Sequence, residues 1–377
     1  MDAVELTRAL IGYNTTNPPG REASCVLFVA GLLEAGGFAV EVQHFESDRA
    51  NLIARWPGAD ADAAPLVLTG HVDTVPLGVA PWSVDPFEGP IQNGKLYGRG
   101  ASDMKSGVAA MVVAALRHTS SGPRLRRGLT LIFTSGEETG CAGALRLLEP
   151  GAPDLGPASA MIVGEPTGNR ISTGHKGCMA VRVHTAGVTA HSSMPHKGTN
   201  AIYRAAHGVS VIERHHLVAD SDPLLGSPTI NVGMIQGGMN YNSVPDAAEF
   251  TVDVRTTPAM VHDQLQASLH LALGADVSLE RFVDMPPVRT DEADPFVRMA
   301  FAVSNQVLGR DANPTPLGIP FFSDASVLTP KLGCPTIILG PGEPDMAHQT
   351  DEYCRVDRLL AAVELYEAMI EAWCGPH

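Results

Sequence analysis

Two histidines and five carboxylates stand where an open sheet of alternating strands and helices would gather them. His71 and Asp73 lie in GHVDTVP, directly after the apolar run PLVLTG; Glu137 and Glu138 lie in TSGEETG, after LTLIF. Glu165 follows SAMIV, His348 follows CPTIIL by a short loop, and Asp103 sits in GRGASDMKSG ahead of a helical run. In such sheets ligands bind beyond the carboxyl ends of the strands. Taken singly, each residue has an ordinary explanation. An H-x-D is commonly incidental, Asp103 reads as a helix N-cap, Glu165 before Pro166 as a surface turn, and His348 as a loop histidine. Taken together they would repel one another at one mouth unless cations neutralised them. Imidazole and carboxylate donors with open positions suit catalytic zinc, and cobalt or manganese also accept them. His71, Asp103, Glu138, Glu165 and His348 divide into two three-ligand sets if one aspartate bridges, the pattern of a dinuclear centre.

The adjacent glutamates pose a narrower question. On a strand, neighbouring side chains point to opposite faces, so Glu137 and Glu138 could do different work, or they could be the acidic start of the next helix. A glycosidase pair is disfavoured because adjacent residues do not flank a sugar from opposite sides. YGRGASDMKSG also resembles a phosphate loop, G-x-G-x-x-D, but Asp103 stands where that fingerprint needs a third glycine and would oppose a pyrophosphate. The six cysteines are scattered with no C-x-x-C pair, which fits reduced, buried thiols of a cytoplasmic protein better than a nucleophile.

The elements around these residues read as two textures. Helices are expected at the N-terminus, over EASCVLFVAGLLEAGG, KSGVAAMVVAALRHT and CAGALRLLE, with strands FAVEVQHF, NLIARW, PLVLTG, LTLIFTS and SAMIVGEPT between them. That alternation predicts an α/β domain with a mainly parallel central sheet covered by helices. From about residue 172 the order becomes strand ISTGHKGCMAVRVHTAG, helix NAIYRAAHGVSVIERHH, strands PTINVGMIQGG and AAEFTVDVRTTP, helix MVHDQLQASLHLAL and strand DVSLERFV. This β-α-β-β-α-β order predicts a ferredoxin-like α+β module. DPFVRMAFAVSNQVLG and CPTIILGPG then return to the first texture. The expected organisation is a discontinuous catalytic domain, residues 1–173 and 284–377, interrupted by a smaller domain at 174–283.

At 377 residues the chain exceeds a single ordinary core, and its 44% apolar and 5% aromatic content excludes disorder. No long uncharged apolar run predicts a membrane span, and the acidic start MDAVELTRAL is not a secretory signal. With 26 basic against 41 acidic residues the net charge is −15, which disfavours nucleic acid and anionic membranes. The densest basic run, RLRRG from Arg124, reads as a solvated lead-in to a strand.

GHVDTVP, GKLYGRGASDMKSG, TSGEETG, VGEPT, AHSSMP and GPGEPDMAHQTDEY occur in an order spanning nearly the full length. In this the sequence resembles the metal-dependent amidohydrolases that include acetylornithine deacetylase, succinyl-diaminopimelate desuccinylase, aminoacylase and glutamate carboxypeptidase. The resemblance implies that His71 and Glu165 hold one metal, Glu138 and His348 the other, with Asp103 bridging. It implies Asp73 as the residue orienting the His71 ring, Glu137 as general base, and an inserted dimerisation and lid domain. His191, from AHSS, would cross to the partner of a homodimer and stabilise an oxyanion. Arg255 would hold the substrate carboxylate and Asn242 would touch substrate; Ser323 and Asp324 receive no role. The activity implied is hydrolysis of an N-acyl amino acid closest to the acetylornithine deacetylase branch. Desuccinylation or small-peptide cleavage is the alternative, and a non-catalytic ligand-binding relative the reading from another class. GGMNYNSVPD departs from the deacetylase pattern towards the peptidase form, which leaves the substrate open.

Overall fold

A computed structural model describes residues 1–121, 125–309 and 314–375. Arg124 of the basic run lies outside the described residues. The chain divides into two compact units, one of Met1–Gly174, Arg289–Leu317 and Ser323–His377, the other of His175–Val288 and Gly318–Phe322.

In the first unit, four strands run parallel at the centre of a large sheet: Leu129–Thr134, Leu66–His71, Ala160–Val163 and Thr336–Ile338, in that order. Arg49–Trp56 joins antiparallel to Leu129–Thr134, and Ala39–Glu46 pairs outside it. Every residue of Leu66–His71, Leu129–Thr134 and Ala160–Val163 is buried. That explains why these strands read as continuous apolar runs rather than alternating ones. The helix Ala3–Ile11 opens with a capping box: the Asp2 carboxylate accepts from Glu5 N at 2.8 Å while Asp2 N donates to Glu5 Oε2 at 3.1 Å.

The helix Ser106–Ser121 is built of small residues because it lies hard against the sheet. A Cβ on Gly107 would meet the Gly164 carbonyl oxygen at 2.3 Å, and Gly164 immediately precedes Glu165. The helix expected over CAGALRLLE is only Ala142–Arg146. Turns through Leu147–Glu149 lead into Pro150 and Gly151, and proline has no N–H to continue a helix. A small antiparallel sheet of Ile91–Gln92, Lys95–Tyr97 and Tyr353–Arg355 carries Glu352 alongside the Gly98–Asp103 loop.

The second unit follows the order Gly177–Ala186, Ala201–Glu213, Thr229–Gly237, Ala247–Thr256, His262–Leu273 and Val277–Met285. Its four antiparallel strands have the spatial order of a ferredoxin-like module, with the first and third in sequence at the centre. Burial alternates along Ala247–Thr256, and Phe250, Val252 and Val254 pack with Leu265 and Leu269 in a separate core. The single strand expected over ISTGHKGCMAVRVHTAG breaks at Lys176, whose N–H goes to Ile319 O at 2.9 Å instead of continuing the ladder.

Gly107→Ala should destabilise the protein by about 1–3 kcal/mol, since backbone rather than a flexible side chain must yield. Denaturant unfolding of both proteins checks this; an unchanged midpoint would refute the close approach.

Candidate metal and catalytic site

The centre of the site is Asp103, whose two carboxylate oxygens face two different imidazoles. His71 Nε2 lies 3.1 Å from Asp103 Oδ1, and His348 Nε2 lies 3.5 Å from Asp103 Oδ2. Outside this bracket, Glu165 Oε1 is 3.8 Å from His71 Nε2, and Glu138 Oε2 is 3.0 Å from His348 Nε2. One potential ligand atom each from His71, Asp103 and Glu138 lie within 4.8 Å of one another. Asp103 caps no helix. Its backbone is extended at φ −118° and ψ 96°, and its carboxylate is turned to the histidines.

Glu137 and Glu138 do not alternate on a strand. The strand ends at Thr134, and the pair stand on a single 3₁₀ turn, Glu137–Thr139, between left-handed Gly136 and Gly140. With three residues per turn, adjacent side chains diverge by about 120°, so the two still point in different directions. Asp73 holds this turn. Its Oδ1 accepts from Glu137 N at 3.1 Å and its Oδ2 from Glu138 N at 3.2 Å, while Asn17 Nδ2 donates to Oδ2 at 3.0 Å and to Thr139 Oγ1 at 2.9 Å. The far nitrogen of His71 is nearer the Asp73 backbone carbonyl, 3.0 Å, than its carboxylate, 3.5 Å. Asp73 thus orients the ring mainly through its main chain and spends its carboxylate on the glutamate turn. Gly136 is required there, because a Cβ would stand 2.3 Å from Nη2 of Arg49, itself buried in an ion pair with Glu22.

Sequence reasoning passed over two residues of this shell, Glu352 and Asn17, and left a third, Asp324, without a role. Glu352 is fully buried and accepts from Ser102 N and Asp103 N through Oε1, and from Gly100 N and Arg99 Nη1 through Oε2. It fixes the loop that presents Asp103. Asn17 was hidden in a proline turn. Asp324 begins the helix Ala325–Leu332 without capping it; its Oδ2 accepts from Thr134 Oγ1, and its Oδ1 is buried without a partner among the described residues. Neither the D-E-Y around Glu352 nor the S-D at Asp324 carries a periodic signal that would have singled these out.

The electrostatics follow from burial. Burial opposes charge on His71, yet Asp103 and Asp73 raise its ring well above the ordinary histidine range. Hydrogen bonds that its ring donates to the Asp103 and Glu138 carboxylates push His348 up to about 10. Burial would raise Asp103, but His348 and His71 hold it below the usual carboxylate range. Burial raises Glu137 and Glu165 well above that range, with His71 opposing and neighbouring carboxylates adding; burial and then Asp103 raise Glu138. Protons are crowded into a place built from metal-ligand donors. The residues fit a pair of divalent cations on a further count: Glu138 Oε1 is buried with no hydrogen-bond partner among the described residues, an orphan a cation would satisfy.

The second unit carries the remaining expected residues. His191 Nδ1 accepts from Ser193 N at 3.2 Å and faces Ser193 Oγ at 2.7 Å, which leaves the proton of a neutral ring on Nε2, facing outward as a donor. His191 bridges Ser243, so Asn242 lies beside it in an exposed turn. Arg255 stands near the opposite end of the Ala247–Thr256 strand, paired with Asp253. The six cysteines are all buried and unpaired, and Cys141 alone approaches the site, 3.9 Å from Glu137 Oε1.

A histidine–carboxylate centre at the ends of parallel strands, buried except at the exposed His348 and with a further acid beside it, defines a metal-dependent hydrolase. Residues 67–372 match the peptidase family M20/M25/M40, and the chain belongs to that family. It is 33% identical over 359 residues to an acetylornithine deacetylase of Myxococcus xanthus, covering 91% of this chain and 90% of that one. It is 29% identical to a probable succinyl-diaminopimelate desuccinylase of Staphylococcus epidermidis, covering 99% and 98%. Among solved structures, an M20 metallo-carboxypeptidase of Sulfolobus solfataricus superposes with a TM-score of 0.77 at 18% identity, covering 98% of this chain and 99% of that one. A dinuclear metal-binding M20 peptidase of Bacillus subtilis gives 0.71 at 17%, covering 98% and 96%.

Imidazole must be neutral to ligate, and the metal-free protein holds His348 protonated up to about pH 10. Metal uptake should therefore release protons, and affinity should climb as pH rises towards that value. Adding zinc to weakly buffered, metal-free protein at pH 7.5 should acidify the solution; binding without acidification would contradict the arrangement.

Proposed function

We propose that the protein removes the acyl group from an N-acyl amino acid by hydrolysis of its amide bond, using two divalent ions, most simply zinc, with cobalt or manganese as substitutes. The observation that carries this reading is the Asp103 carboxylate divided between two imidazoles with Glu137 buried alongside. His71 and Glu165 would hold one ion, Glu138 and His348 the other, and Asp103 both. Ions held there would supply Lewis acidity, lowering the pKa of water and polarising an amide carbonyl. Glu137, poised high by burial and neighbouring charge, takes a proton from the attacking water and delivers it to the nitrogen of the leaving amine. The His191 Nε2–H donates to the oxyanion, Arg255 holds the carboxylate and Asn242 contacts the substrate. The relatives' names favour acetyl and succinyl groups. Desuccinylation or small-peptide cleavage by the same machinery is the second reading, favoured by the peptidase-like GGMNYNSVPD stretch. Buried, unpaired cysteines support a cytoplasmic location.

We also infer a homodimer. From Ala247 to Arg255 the strand advances eight residue steps, roughly 27 Å at its usual rise. The His191 and Asn242 turns extend beyond the Ala247 end, through pairings of Gly187 with Asp246 and Ala190 with Val244. A substrate of amino-acid size cannot touch both ends, so a second copy must supply one of them. The edge strand Thr229–Gly237 exposes Met234 and Ile235, and the helix beside it exposes Tyr203, an apolar surface suited to that contact.

A panel of N-acetyl-ornithine, N-succinyl-diaminopimelate, other N-acyl amino acids and dipeptides tests the activity; metal-loaded protein that hydrolyses none of them ends the reading. Glu137→Gln should keep both metals and lose about 10²–10⁴ in turnover, whereas Glu138→Gln should first weaken metal binding by elemental analysis. His191→Ala should cost about 10²–10³ in turnover. Mixing refolded His191→Ala and Glu137→Gln chains should restore about a quarter of wild-type activity, because half the dimers then hold one intact site. Mixtures as inactive as either parent would place His191 in its own chain's site.

A further inference from the structure

We propose that Asp253 is a positioning residue for substrate recognition, clamping the Nε/Nη2 edge of the Arg255 guanidinium so that its end-on Nη1/Nη2 edge meets the substrate carboxylate. This rests on the reading of Arg255 as the carboxylate holder. Both residues lie on the Ala247–Thr256 strand, two apart and therefore on the same face. Arg255 Nε donates to Asp253 Oδ1 at 2.9 Å and Nη2 donates to Oδ2 at 3.2 Å. Such a fork-to-fork contact holds guanidinium and carboxylate in one plane.

The clamp is itself held. Cys178, directly across from Arg255 in the ladder, places its Sγ 3.6 Å from Asp253 Oδ2. Burial and then the Asp253 charge push that thiol up to about 12, so it stays a donor. On the guanidinium face, Phe322 lies with its ring centre 5.7 Å from Arg255 Cζ. One edge and one face are thus occupied. Of five N–H donors, two are spent on Asp253, and Nη1 has no partner among the described residues. The remaining Nη1 and Nη2 hydrogens form a second, end-on fork, and both side chains are about one-third exposed, 32% for Arg255 and 38% for Asp253.

The chemistry this selects is a single planar carboxylate arriving end-on. Because Asp253 cancels the charge of Arg255, discrimination comes from direction rather than from net attraction. Fixing the fork beforehand also lowers the ordering cost of binding. Loss of the clamp should therefore appear in KM.

The test uses the metal-loaded full chain with the best N-acyl amino acid of the panel and its C-terminal amide. Asp253→Asn and Asp253→Ser should raise KM for the acid about tenfold with most of the loss in KM, and leave the amide's poor kcat/KM where it is. Asp253→Glu should recover at least part of the loss, and thermal melting should stay close to wild type. Arg255→Ala should abolish the preference for acid over amide. If Arg255→Ala abolishes it but all three Asp253 variants keep the wild-type KM, the carboxylate reading stands and the clamp is wrong. A loss confined to kcat, or one that Glu does not relieve, overturns it equally. If Arg255→Ala leaves the preference intact, the reading of Arg255 fails and the clamp falls with it.

Discussion

Six carboxylates, Asp73, Asp103, Glu137, Glu138, Glu165 and Asp324, are buried near two imidazoles at one end of a sheet, and their mutual repulsion constrains everything around them. Such groups cannot be left to find their own positions, since each would turn to water if it could. The surrounding chain answers with donors that are themselves fixed. Asp73 takes two backbone N–H groups from the glutamate turn, and Glu352 takes three from the Asp103 loop together with the Arg99 guanidinium. Neither carboxylate needs to touch a cation to decide where the ligands stand. Outer partners of this kind are typically worth a factor of about 10–100 in metal affinity.

The different directions of the Glu137 and Glu138 side chains are a consequence of that scaffolding. A strand would have separated the two by alternation, but a strand continuing past Thr134 would also have carried them away from the sheet end. The 3₁₀ turn keeps both at the mouth and still parts their directions, and two left-handed glycines make so abrupt a turn cheap. Glu138 then reaches His348, while Glu137 stays buried and, among the described residues, makes no ion pair with a histidine.

How much of this was open to reading in the sequence depended on whether a residue belonged to a pattern. The buried parallel strands announced themselves as apolar runs, and the second unit by its period of two, so His71, Glu138, Glu165 and His348 fell at recognisable strand ends. The break at Lys176 and the short helix Ala142–Arg146 were not readable, because a backbone partner at Ile319 and a proline turn decide them. Glu352 and Asn17 were missed, and Asp324 was left without a role, for a related reason. Their partners lie 56 to 253 residues away along the chain, and no local spacing encodes such a contact.

The net charge of −15 gives the recognition problem its form. A carboxylate substrate approaches a surface of its own sign, yet at physiological ionic strength charges beyond about 8 Å are largely screened. What matters is the field within that distance of the bound substrate. A bare arginine would attract any anion there, phosphate included. An arginine already paired along one edge offers little net charge but a defined pair of N–H vectors, so it rewards only an acceptor of matching plane and width. Selection by geometry rather than by attraction suits a surface that repels anions at range and needs to hold one kind closely.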